Sequence, residues 1–238
     1  MYDKILKHCN YLLDNVDNDV KKYLSTRTNS TEFEFGYFPE IKKMSLIKDY
    51  FTIDYLKQLK LLKVQETNNS IFYNSYFENY ELVIGFKNIY GEVIALVART
   101  LKDYNKLGIP KYKNTIYKKS NHLFGLYESL STIKEKDYVI IVEGQFDVIK
   151  AFDNNIKNVV AVSSSNISLN QFLLLKRFTD NVYICLDNDD AGKKGTDLFI
   201  KKYGNYSNIN KIILPDEYKD LDEFLQNNSD KDFNYLIK

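Results

Sequence analysis

Apolar residues in the first part of the chain recur at helical spacing. In YDKILKHCNYLLDNVDNDVKKYL, the residues Ile5, Leu6, Cys9, Leu12, Leu13, Val16, Val20 and Leu24 fall mostly three or four apart, which predicts amphipathic helices. TRTNSTEFEFGYFPE interrupts them with turn residues and is closed by Gly36 and Pro39. SLIKDYFTIDYLKQLKLLKV returns to a helical pattern, so residues 1 to about 62 read as mainly helical. YELVIGFKNIYGEVIALVART then reads as two strands joined by a turn near Asn88–Gly91. A polar loop follows, and HLFGLYESLSTIKEK predicts a helix.

From Asp137 the pattern alternates. YVIIVE, NVVAVS, NVYICLD and INKIIL read as short buried strands. QFDVIKAFDNN, SLNQFLLLKRFTD (opened by Ser168) and AGKKGTDLFIKKYG read as the helices between them, and LDEFLQ as a last helix after Pro215. Strands alternating with helices of this length imply parallel pairing through helical crossovers. The expected class is α/β, a parallel-sheet module over 136–238 preceded by a smaller mixed α+β subdomain over 1–135. Ligand sites in such sheets lie beyond the carboxyl ends of the strands.

Composition narrows the class. A hydrophobic content of 44% over 238 residues is enough for a real core. Two cysteines, Cys9 and Cys185, cannot build a disulfide framework, and neither they nor His8 and His122 complete a zinc site. Cys185 lies in an apolar run and reads as a core residue, and His122 as a surface or packing residue. The first residues mix charge through their apolar positions, unlike a signal peptide, and VIIV is far too short to cross a bilayer. These features point to a soluble protein of the cytoplasm, with no membrane partner. The formal net charge of +1 is unevenly spread: Arg99–Lys119 holds seven basic residues against one acid, +6, leaving −5 elsewhere. That window suggests contact with a polyanion, or else a lysine-rich solvated loop.

The acids sit where the sheet rule puts chemistry. Glu143 ends the first strand of the alternating region, with Asp147 one helical turn later. Asp187 ends the third strand, with Asp189 in the turn, and Asp220 and Asp222 follow the fourth. Unpaired, such a cluster raises its own pKa values and costs stability. A hard divalent cation removes the conflict, because Mg²⁺ takes carboxylate oxygens, waters and substrate phosphates. The competing reading is capping: Asp190 is a candidate helix cap, Asp147 a first-turn acid, and Asp216 and Glu217 belong to a solvated turn. Gly144 and Gly192 follow two of the acid-bearing strand ends, where a missing side chain permits close backbone approach.

VIIVEGQFDVIKA followed by YICLDNDDAGKKG resembles the TOPRIM module of primases, topoisomerases and some nucleases. YLSTRTNSTEFEFGYFPE looks like the start of the polymerase domain of bacterial DnaG-type primases. VIGFKNIYGEVIALVARTL with PKYKNTIYKKSNHLFGLYES looks like that family's basic region, and ILPDEYKDLDEFL like the segment after its last TOPRIM strand. The resemblance covers about residues 20 to 227 in consistent order. It implies an Mg²⁺-dependent (alternatively Mn²⁺-dependent) nucleotidyltransferase that makes short RNA primers from ribonucleoside triphosphates on single-stranded DNA, working with a replicative helicase in trans. By position it implies Glu143, Asp187 and Asp189 as catalytic. Asp147, Asp220 and Asp222 join those three as the metal-holding acids. Arg27, Arg99, Lys111 and Lys119 are the implied contacts to template or nucleotide.

The sequence also departs from the family. It has no zinc-ribbon module at its start and no helicase-binding region at its end, which suits a phage or another mobile element acting in a host cytoplasm. A basic position before the first strand pair is lost in YFENYELVIGF, and SSSNIS stands where the family tends to have glycine. Two other readings stay open: a TOPRIM-type metal-dependent nuclease, and a non-catalytic primase-like protein that binds DNA or a helicase.

Overall fold

The computed structural model describes residues 2–67 and 70–237. Two compact units divide the chain. The first comprises the residues up to Arg27, Phe33–Phe86 and Glu92–Tyr117; the second comprises Thr28–Glu32, Lys87–Gly91 and everything from Lys118 onward.

In the first unit, α1 (Asp3–Asn15) and α2 (Asp19–Arg27) realise the helical spacing. The stripe Ile5, Leu6, Cys9, Leu12 and Leu13 is buried. It packs on β1 (Phe35–Tyr37), and the contact is close because Gly36 has no side chain: a Cβ there would stand 2.5 Å from the Cβ of Cys9. A four-stranded sheet of order β1-β4-β5-β6 follows, with β4 (Leu82–Lys87), β5 (Val93–Arg99) and β6 (Tyr112–Asn114). The two strands expected around Asn88–Gly91 are therefore present.

Three local expectations are corrected. Residues 45–64 form no continuous helix: α3 (Ser45–Lys48) and α4 (Ile53–Gln58) are short. Thr52 caps α4 by accepting from the Tyr55 N–H at 3.2 Å, and Lys60, at φ 58°, turns the chain out of the helix. The apolar run then becomes β2 (Leu62–Thr67), paired antiparallel with β3 (Ser70–Ser75), a hairpin the helical spacing conceals. Phe35–Tyr37, read as a break, is a strand because it pairs with Leu82–Ile84. The basic window is not wholly a loop. It contains α5 (Tyr104–Leu107), and β6 within it pairs antiparallel with Val97–Arg99.

The second unit carries α6 (Leu126–Lys136), β7 (Val139–Val142), α7 (Gln145–Asp153), β8 (Val159–Ala161), α8 (Leu169–Leu175) and β9 (Asn181–Ile184). It continues with α9 (Asp190–Tyr203), β10 (Asn208–Lys211), α10 (Leu221–Asn227) and α11 (Asp230–Asn234). The sheet order is β10-β9-β7-β8, and its three pairings are parallel, as the alternation requires. Ser168 opens α8 in a capping box with Gln171, though the helix stops at Leu175 rather than running on to Asp180. Ile141, Val160, Val182, Ile184, Phe172 and Phe199 share one buried cluster that fixes the sheet between its helices. Burying these side chains contributes roughly 2 kcal/mol each. Cys185 is buried as expected.

Candidate active site

The carboxyl ends of β7 and β9 are adjacent, because these strands pair directly. Glu143 follows β7 and Asp187 and Asp189 follow β9, so the register brings these three acids to one sheet edge. Their charges interact. Burial first, then Asp187 and Asp189, push the Glu143 carboxyl up to about 7, against the opposing pull of Lys219 and Lys119.

Asp147, Asp220 and Asp189 each have a defined local role. Asp147 is buried, and both its oxygens accept backbone N–H groups: Gly144 at 2.8 Å and Asp222 at 3.0 Å. It thus ties the start of α7 to the start of α10. Burial and then Asp220 hold its carboxyl well above the usual range, while those two N–H groups pull the other way. Asp220 caps α10 by accepting from the Glu223 N–H at 2.8 Å. Asp189, rather than Asp190, caps α9, accepting from the Gly192 N–H at 2.8 Å. Each of these caps uses one carboxylate oxygen, Oδ1, so the capping reading does not exclude a functional one.

Gly192 explains how α9 begins so near β9. A Cβ at this position would lie 2.0 Å from the carbonyl oxygen of Asp187. Sequence reasoning passed over several neighbours. Lys219 Nζ lies 3.8 Å from Asp187 Oδ2, and the Asn188 N–H donates to the Lys219 carbonyl at 2.6 Å. The one available signal for Lys219 was its place beside Asp220.

Lys119 belongs to the same unit. Its Nζ donates to the Ser163 carbonyl at 2.6 Å, and burial lowers its pKa while the Glu143 charge opposes that shift. The other three predicted basic residues gather in the first unit. Arg27 and Arg99 both face the ring of Tyr23, at 5.9 and 5.1 Å. Arg99 Nη1 donates to the Tyr112 hydroxyl at 2.8 Å, and Lys111 Nζ lies 5.8 Å from the Tyr112 ring. Cations interleaved with aromatic rings suit phosphate tracking and base stacking. Tyr23 and Tyr112 escaped the sequence reading; Tyr23 stands one helical turn before Arg27, which is a signal only once Arg27 is singled out.

The family model for the N-terminal domain of the DNA primase catalytic core matches residues 8–130, more than half of the chain. The chain belongs to the DnaG-type primase family. A Toprim-like family model matches residues 140–225, the parallel-sheet unit. The DNA primase of Aquifex aeolicus is 33% identical over 217 residues, 87% of this chain and 41% of that protein. The DNA primase of Rickettsia felis is 30% identical over 224 residues, 89% of this chain and 37% of that protein. The chain thus spans about two-fifths of the length of these relatives. Among solved structures, the zinc-binding and RNA polymerase domains of the Aquifex aeolicus primase share 31% identity at a TM-score of 0.81, covering 97% of this chain and 58% of that one. A DnaG primase catalytic domain bound to single-stranded DNA has the same fold, at 22% identity and a TM-score of 0.81, over 99% of this chain and 78% of that one. No helix among the described residues is long and apolar enough to cross a membrane.

The donor set at the sheet edge fits a primase metal. It offers only carboxylates, and their mutual repulsion is what a hard cation relieves. Among the described residues no three acidic, His or Cys side chains close into a ready-made cage.

Proposed function

We propose that this chain is the polymerase core of a primase, joining ribonucleotides on a single-stranded DNA template into short RNA primers. The observation that carries the reading is the electrostatic coupling of Glu143 with Asp187 and Asp189 across the adjacent ends of β7 and β9. Asp187 and Asp189 would hold Mg²⁺, or alternatively Mn²⁺, with Glu143 completing the set. Asp220 and Asp222 would hold a second ion, and Asp147 contributes to the acidic shell through the backbone of Asp222. Divalent ions in such a site position attacking and leaving oxygens and neutralise developing charge.

The protein's own groups supply orientation. Lys119 and Lys219 bring positive charge to the acidic edge, where a triphosphate carries its negative charge. Glu143, whose carboxyl is pushed up to about 7, would either join the metal set or accept the proton of the attacking 3′-hydroxyl. Arg27, Arg99 and Lys111, with Tyr23 and Tyr112, grip the template backbone. A replicative helicase in trans presents the template.

The test separates polymerase from nuclease on one substrate. The chain is incubated with single-stranded DNA, labelled ribonucleoside triphosphates and Mg²⁺. Alkali-sensitive labelled product supports the reading. Shortening of the DNA without incorporation supports a nuclease, and neither outcome with retained DNA binding supports a non-catalytic protein.

A further inference from the structure

The segment that carries Lys119 has little regular structure of its own, a single turn of 3₁₀ helix at Lys119–Asn121. It is held by the start of α8. Gln171 is 2% exposed, and its Nε2 faces three carbonyls: His122 at 2.9 Å, Val162 at 3.3 Å and Lys119 at 3.4 Å. Its Oε1 accepts from the Ser168 N–H at 3.0 Å, which fixes the amide's orientation. Ser168 Oγ donates to the Ser120 carbonyl at 2.6 Å, and Asn170 Nδ2 to Asn121 Oδ1 at 2.7 Å.

On the other side, Ser163 connects this segment to the acidic edge. Its N–H donates to the Glu143 carbonyl at 2.9 Å, its own carbonyl accepts from Lys119 Nζ, and its hydroxyl accepts from Gln145 Nε2 at 2.7 Å. Ser163 takes φ 58°, a conformation costing a serine about 1 kcal/mol, so its surroundings must impose it. A capping box needs only the Ser168–Gln171 reciprocal pair. It does not account for an amide that also spans three carbonyls from two other segments.

We infer that Gln171 is a positioning residue for nucleotide binding: its buried amide fixes the backbone on either side of Lys119, so that the lysine is delivered to the acidic edge at Glu143. The inference rests on the proposed role of Lys119 as a triphosphate contact. A lysine on an untethered loop would have to be ordered at each binding event, whereas a tethered one is already in place.

The experiment measures affinity of the full chain for a fluorescent ribonucleoside triphosphate with Mg²⁺, together with thermal stability. Gln171→Leu keeps the size and removes the amide. Lys119→Ala removes the contact itself. Both should weaken binding by about tenfold, and the double variant should be no weaker than Lys119→Ala alone, since the two act as one unit. Asn170→Ala, at an exposed position that leaves the core intact, should weaken it by about two- to threefold and keeps the test open if Gln171→Leu does not fold. Weakened binding in Lys119→Ala beside wild-type affinity in Gln171→Leu and Asn170→Ala overturns the inference alone, whatever happens to the melting temperature. So does a double variant whose losses multiply. Wild-type affinity in Lys119→Ala overturns both the inference and the nucleotide role of Lys119.

Discussion

The substitution Gly192→Ala adds one methyl group where the structure has no room for it. The new Cβ would stand 2.0 Å from the Asp187 carbonyl oxygen, 2.9 Å from its carbonyl carbon and 3.0 Å from its nitrogen. A comfortable carbon–oxygen contact is about 3.3 Å, so the start of α9 and the end of β9 must separate by about 1.3 Å. All three obstructing atoms are backbone, so no rotamer change relieves the clash. The separation stretches the cap between Asp189 and the Gly192 N–H, worth ~1 kcal/mol. Overpacking adds about 1–3 kcal/mol, and the better helix propensity of alanine returns about 1 kcal/mol. The net loss is about 1–3 kcal/mol, or roughly 3–10 °C in melting temperature for a chain of this size. Activity should suffer more than stability. The same movement displaces Asp187 and Asp189 from Glu143, and misplacement by about 1 Å can cost ~100-fold in rate. Thermal melting and ribonucleotide incorporation check both parts, with Lys201→Ala, exposed at the other end of α9, as control. Wild-type melting and wild-type incorporation by Gly192→Ala would refute the claim that this close approach sets the acidic edge.

Other outcomes follow from the same geometry. Because the folded Glu143 carboxyl holds its proton up to about 7 and the unfolded one only to about 4.5, this group costs nothing below that window, and stability falls as pH rises through it. Half-burial limits the loss to about 1–2 kcal/mol. Melting in chelator should show the slope in wild type relative to Glu143→Gln, Mg²⁺ should abolish it, and a pH-independent difference would contradict the coupling. Asp187→Asn should abolish incorporation while its metal-free melting temperature holds or rises, since one of the repelling charges is gone. Charge reversal at Lys111 or Lys119 should weaken single-stranded DNA or nucleotide binding. Each phosphate that the variant no longer neutralises should flatten the salt dependence of DNA binding by about 0.7, and an unchanged slope together with unchanged affinity at both positions would make them solvated surface.

The parallel-sheet unit was far more legible in the sequence than the unit before it. Its strands are short apolar runs bounded by turns and caps, as at Ser168, so pattern and structure agree in the order and type of the elements, while ends such as that of α8 and the cap of α9 differ by a few residues. The strand ends also carry the acids, which made Glu143 and Asp187 visible without any structure. The hairpin of β2 and β3 was hidden because LKQLKLLKV has helical spacing, and only cross-strand pairing, Leu62 with Ser75 and Val64 with Tyr73, makes its second half a strand. Tyr23 beside Arg99, and Gln171 beside Lys119, are contacts between distant segments, 76 and 52 residues apart in sequence, and no local pattern encodes them.

The most direct test of the central claim is ribonucleotide incorporation on single-stranded DNA by Asp189→Asn. Asparagine caps a helix as well as aspartate does, so α9 should keep its start and the protein its fold. The negative charge at the end of β9 is what disappears. The account predicts Mg²⁺-dependent, alkali-sensitive product from the wild-type chain and none from a folded, DNA-binding Asp189→Asn protein. Full incorporation by that variant would contradict it.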